Sequence, residues 1–168
     1  MSLLSFLGCS HSYPPLETVA NVDLNRYLGK WYEIALFPNS FEKGCNCTTA
    51  EYSIEGDYIR VVNSCRRDSI KAAPDVARGK AFVVNGSNNS KLRVQFFWPF
   101  RGDYWIIDLA DDYTYAVVGS PNREYLWILS RTPKIDPKLY ENIVKRAEKK
   151  GFDISKLKLT EQECVDSN

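Results

Sequence analysis

The chain has 168 residues, with 22 Lys plus Arg against 21 Asp plus Glu, which suits one domain of ordinary size and leaves no net field to hold a nucleic acid. A single histidine, His11, and no acidic cluster argue against a metal site, and no window approaches the ~20 apolar residues of a spanning helix. Aromatic content of 13% suits a packed β-sandwich or a calyx lined for an apolar guest, while five cysteines are many for a reducing compartment.

At the start of the chain, Cys9 follows an apolar run and Gly8 in SFLGCS. The segment resembles the lipobox at which a bacterial lipoprotein is cleaved and acylated, with Phe6 where Leu is usual and Leu7 where a small residue is usual. Eight preceding residues are too few for a whole leader, so the start reads as the remnant of a signal peptide. The alternative is a free cysteine in a disordered arm. Membrane attachment would then come through lipid at Cys9, and His11 to Glu17, with Tyr13-Pro14-Pro15, reads as an extended tether. This divides the chain into residues 1–20, remnant and tether, and 21–168, the folded body.

Val22 to Leu28 predicts one helical turn capped by Asp23 that covers one end of the body. Next comes RYLGKWYEIALF, Arg26 to Phe37, in which Gly29 permits a tight turn and Trp31 to Phe37 is a strand. Its counterpart is YLWILSRTP, Tyr125 to Pro133. The physical reading is that Trp31 plugs one end of a barrel while the guanidinium of Arg131 lies over the indole as a cation–π lid. Pro38 to Gly44 is too irregular for a strand, with Phe41 either gating the mouth or acting as a simple hydrophobic staple.

Further strands are predicted at 46–54, 58–66, 77–84, 91–98, 103–109, 114–119 and 124–131, with turn signals between them. With the first strand this makes eight, an all-β, eight-stranded antiparallel up-and-down barrel. Eight strands enclose either packed side chains or one small ligand. Alternation favours Thr48, Ala50 and Tyr52 on one inner face, Leu92, Val94, Phe96 and Trp98 on another, and puts Tyr125, Trp127 and Leu129 in phase with Arg131. Strands 103–109 and 114–119 are apolar on both faces, so Trp105 cannot be assigned against Tyr104 or Ile106, and something must cover the outside. The cover follows in sequence. Asp136 caps and Pro137 begins a helix over Leu139 to Lys150, ended by Gly151, whose apolar stripe is Tyr140, Ile143, Val144 and Ala147. Cys45 and Cys47 begin a strand whose hairpin partner ends at Cys65, so all three share one neighbourhood, and register alone does not choose their pairing.

Gly29-x-Trp31 near the start and Ser130-Arg131-x-Pro133 closing the last strand resemble the lipocalin family, and residues 22–160 look like its bacterial outer-membrane, apolipoprotein D-like members. The middle motif, usually Thr-Asp-Tyr, is reduced to Asp111-Asp112-Tyr113. The resemblance implies that Cys47, five residues before Tyr52-Ser53, pairs with Cys164 in the tail, which leaves Cys45 with Cys65. It also implies outer-membrane sorting at Ser10, a periplasm-facing body, acyl storage or transport, and pairing of two copies.

No phosphate loop, zinc spacing or Gly-x-Ser-x-Gly elbow appears, and no cofactor is expected. The leading expectation is a lipid-anchored binding protein of the bacterial outer membrane that holds a fatty acid or lysophospholipid without a chemical step. Its expected cavity wall is Tyr52, Leu92, Val94, Phe96, Tyr115 and Trp127, with Phe41 at the mouth. The alternatives are a carrier of a pigment or haem-like ligand, a thiol-dependent enzyme needing a free inward cysteine, and a ligand-free surface protein.

Overall fold

The computed structural model describes residues 13–97 and 99–164. The lipidation expected at Cys9 and the inward placement expected of Trp98 lie outside the described residues. A short helix α1 (Leu24–Tyr27) leads into strands β1 (Gly29–Leu36), β2 (Cys45–Glu55), β3 (Tyr58–Arg67), β4 (Pro74–Val83), β5 (Lys91–Phe97), β6 (Phe100–Leu109), β7 (Tyr115–Gly119) and β8 (Leu126–Ser130). Helix α2 (Pro137–Lys149) and a two-residue strand β9 (Lys158–Leu159) follow.

Each strand pairs antiparallel with the next, and β1 pairs with both β8 and β2, so the sheet closes into the expected eight-stranded barrel. The closing strand divides its outer edge. Gly29 to Tyr32 pair with β2, whereas Ala35 and Leu36 pair with β9. Where β1 and β2 part, the Gln162 side-chain amide donates to the carbonyls of Glu33 and Thr48, 2.8 Å each, so the backbone groups exposed by the gap are satisfied.

Alternation sorts the apolar residues into two layers. Inside the barrel, Trp31, Tyr52, Val61, Leu92, Ile106, Ala116, Val118 and Leu129 form one buried cluster. Outside it, Ile107, Val117 and Ile128 pack against Ile143 and Ala147 of α2. The side chain of Asp136 caps the helix through the Leu139 N–H (2.8 Å), Pro137 occupies the first turn, and Gly151 leaves it at a φ of +90°. The helix therefore explains the two-faced apolarity of β6 and β7. It settles their orientation as well: Tyr104 and Ile106 point inward, Trp105 and Ile107 outward.

That orientation corrects one expected cavity residue. Tyr115 stands on the outer face of β7 in the α2 layer, where its hydroxyl receives a hydrogen bond from Arg146 (2.9 Å) and lies 3.3 Å from Asp108. Because β7 is apolar on both faces, its sequence carries no alternation that would show this. The described part of the segment expected to be an extended tether is packed on the body. From Tyr13 on, the segment lies on the barrel, with Leu16 buried, the Pro14 carbonyl accepting from Arg123 (2.7 Å), and the Val19 N–H donating to Ile106 (3.0 Å).

Candidate ligand cavity

One end of the barrel is sealed by residues that the turn at Gly29 brings together. Gly29 has a φ of +90°, a conformation side chains resist, and this bend turns the chain from α1 into β1. Trp31, fully buried, donates its indole N–H to the Tyr27 carbonyl at 2.8 Å. The Arg131 guanidinium lies 3.7 Å from the Trp31 ring centroid and donates to the carbonyls of Lys30 (2.9 Å), Arg26 (2.7 Å), Tyr27 (3.1 Å) and Tyr113 (3.3 Å). A planar, five-donor fork suits several carbonyls at once, which an ammonium could not match. The degenerate Asp111-Asp112-Tyr113 segment joins this seal. The Tyr113 hydroxyl accepts from the Asp23 N–H (2.8 Å), and Arg26 covers its ring at 4.1 Å.

Above the seal, the floor of the interior carries a chain of three phenols. The hydroxyl of Tyr104 meets those of Tyr27 (2.7 Å) and Tyr52 (3.0 Å). Burial holds all three neutral: it pushes Tyr52 up to about 12 and raises Tyr27 and Tyr104 well above an ordinary phenol. Two bonds among three hydroxyls use two of their three protons. Tyr27 and Tyr104 were not legible as floor residues, the first because it sits in a helical turn, the second because β6 is two-faced.

At the open end, Phe41 on the connection after β1 is 58% exposed and faces Tyr125 and Trp127, with ring centroids 5.9 and 6.5 Å away. The Trp127 indole N–H donates to Glu42 at 3.0 Å, and Asn39 donates to the same oxygen. Below them Glu33 is only 3% exposed and accepts from the Thr160 hydroxyl. Burial, then the neighbouring Glu42 carboxylate, raises the Glu33 carboxyl well above the usual range. The in-phase spacing of Trp31 and Glu33 was the signal for this inward acid; Glu42, on an irregular segment, gave none.

Among the expected wall residues, Tyr52, Leu92, Val94, Phe96 and Trp127 are thus gathered in or against the interior cluster, Phe41 lies on the rim, and Tyr115 is outside. Cys45 and Cys65 form one disulfide, with Cα atoms 5.3 Å apart, and Cys47 and Cys164 form another, with Cα atoms 6.1 Å apart. All four described cysteines are paired, so the described residues offer no thiolate to the interior.

The lipocalin-like domain family matches residues 22–162. The chain is 40% identical over 158 residues to outer membrane lipoprotein Blc of Vibrio cholerae, covering 93% of this chain and 92% of the relative. It is 40% identical over 153 residues to the Escherichia coli K12 protein of the same name, covering 89% and 86%. Mouse apolipoprotein D is 38% identical over 165 residues, covering 91% and 83%. Insecticyanin from the tobacco hornworm Manduca sexta shares the fold, with a TM-score of 0.72 at 22% identity over 89% of this chain and 86% of that one. With the sealed barrel already described, these likenesses make the chain a member of the lipocalin-like family, an outer-membrane lipoprotein of bacterial type that binds small hydrophobic molecules.

Proposed function

We propose that the protein holds one fatty acid or lysophospholipid, acyl chain inward, for storage or transport at the outer membrane, tethered there by lipid on Cys9. The single observation that carries this reading is the asymmetry of the interior. Apolar side chains from Leu92, Val94, Phe96 and Leu129 belong to its buried cluster, Trp31 closes it below, and the rim above presents Phe41 and Trp127. Apolar area removed from water yields roughly 25 cal/mol per Å², so an alkyl tail is the natural occupant of such a wall. Polar groups concentrate at the two ends, Glu33 and Glu42 under the rim and the phenols at the floor, where a headgroup or chain terminus would need partners.

Titration with oleate and with a lysophospholipid, read by Trp127 fluorescence against a Trp127→Phe control, tests the reading. Saturable quenching that the control lacks supports it. Silence with every acyl ligand overturns it, and a visible absorption band in the purified protein would favour a pigment or haem-like guest instead.

A further inference from the structure

The barrel wall not covered by α2 carries a second feature that the calyx does not use. On the outer face of β3 to β6, cross-strand pairing sets Arg60 beside Lys80 and Arg93 beside Asp103. Glu55 and Asp103 are taken up by Arg60 (3.2 Å) and Arg93 (3.8 Å), which leaves Arg78, Lys80 and Arg101 without an acidic partner among the described residues. Two of these cations rest on rings: the Lys80 ammonium lies 4.3 Å from the centroid of Tyr58, and the Arg101 guanidinium 4.2 Å from that of Phe82. Arg101 is steadied further by donating to the Gln95 side chain at 3.2 Å.

Between Tyr58, Arg60, Arg78, Lys80, Phe82 and Gln95 lies a groove of about 450 Å³. It opens where the pairing of β4 with β5 stops at Lys80 and Gln95. Its floor depends on Gly79, where an added Cβ would stand 2.8 Å from the Gln95 carbonyl and 2.9 Å from the Phe96 ring. A side chain at 79 would press on the β5 backbone and on Phe96.

We infer that this groove docks the body against a membrane surface by taking the phosphate groups of anionic phospholipids. Charge complementarity selects the occupant. The chain as a whole is close to neutral, so it has no general attraction for polyanions, while this wall sets Arg78 and Lys80, with Arg101 stacked on Phe82 beside them, around a groove lined by aromatic rings. Phosphodiesters at a lipid surface satisfy both halves: the oxygens meet guanidinium and ammonium, and Tyr58 and Phe82 reach the interfacial layer where aromatic rings are favoured. An outer-membrane lipoprotein is held beside such a surface, so the docking needs little intrinsic affinity. The inference does not depend on what the calyx holds.

Vesicle flotation tests it, using the full chain carrying Cys9→Ser so that no acyl anchor contributes. The protein should float with phosphatidylglycerol-containing vesicles and not with pure phosphatidylcholine. Association should fall as salt is raised, because the contacts are screened. Replacing Arg78, Lys80 and Arg101 together by Gln should lower the partition by roughly 100-fold, while leaving oleate quenching of Trp127 as in the parent. Equal flotation with phosphatidylcholine would show attachment through apolar groups and overturn the inference. So would an unchanged partition of the triple variant, or tighter retention by polyuridylate than by the vesicles.

Discussion

At the sealed end of the barrel, Arg131 binds four carbonyls and covers Trp31. At the open end the rim is pinned by the Cys45–Cys65 and Cys47–Cys164 disulfides and an aromatic cluster that leaves Phe41 exposed. The difference follows from what each end must do. An end that can be filled gains stability from packing and hydrogen bonds at contact distance. An end that must leave space for a guest cannot be filled, and a crosslink on its rim acts instead on the unfolded chain, without occupying the interior. Strands β2 and β3, which carry three of the four paired cysteines at their rim ends, are therefore held there by covalent links.

The largest expected effect breaks the covalent side of this comparison. Cys47 and Cys164 lie 117 positions apart, and the loop-entropy relation gives about 4–5 kcal/mol for such a closure, against about 3 kcal/mol for the 20-position separation of Cys45 and Cys65. Cys47→Ser with Cys164→Ser should shift the urea midpoint accordingly. A loss below about 1 kcal/mol would mean that the rim is held by its side chains after all.

Trp31→Ala attacks the non-covalent side. Removing a fully buried indole costs about 3–5 kcal/mol through lost burial and the cavity left behind, and here it also strips Arg131 of its cation–π partner. Thermal unfolding should report it as a fall of roughly 10 °C in Tm for a domain of this size. A variant that kept its Tm would show that the Arg131 hydrogen bonds alone close the barrel.

Glu33 sharpens the comparison through pH. Its carboxyl is raised by burial and by Glu42, so the folded protein holds that proton more tightly than the unfolded chain does. As pH rises through the ordinary carboxylate range, the unfolded chain ionises first and stability falls, until the folded carboxyl ionises as well; the slope for one proton cannot exceed about 1.4 kcal/mol per pH unit. Glu33→Gln does not titrate. Its urea midpoint should match the parent near pH 4 and move above it as pH increases to 8. Parallel midpoints across that span would show that the mouth does not carry an unfavourable buried acid.

What was legible in the sequence divides along the same line. The sealed end could be read from Gly29, Trp31 and Arg131 because its chemistry needs those residue types, and eight strands followed from alternation and turns. The middle of the wall was harder. Helix α2 buries the outside of β6 and β7, so alternation vanishes there, and pattern alone orients neither Tyr115, which faces outward, nor Tyr104, which faces inward. The packed path of Tyr13 to Ala20 was hidden because Pro14-Pro15 suits a free extended segment and a docked one equally well, and only tertiary contacts with Arg123 and Ile106 decide. Glu42 escaped because an irregular segment has no period from which to infer where a side chain points.

The smallest expected effect on stability lies at the rim. Phe41 keeps more than half of its surface in water, so Phe41→Ala should change the unfolding free energy by less than about 0.5 kcal/mol. Its ring nonetheless faces Tyr125 and Trp127, and a guest entering the mouth would add a buried side to a ring that now has one. Covering the exposed half of a phenyl group is worth on the order of 1 kcal/mol, which predicts an affinity for oleate several-fold weaker in the variant with the Tm unchanged. Loss of stability equal to the loss of binding would make Phe41 part of the scaffold, and the two ends of the barrel would then differ less than their contacts indicate.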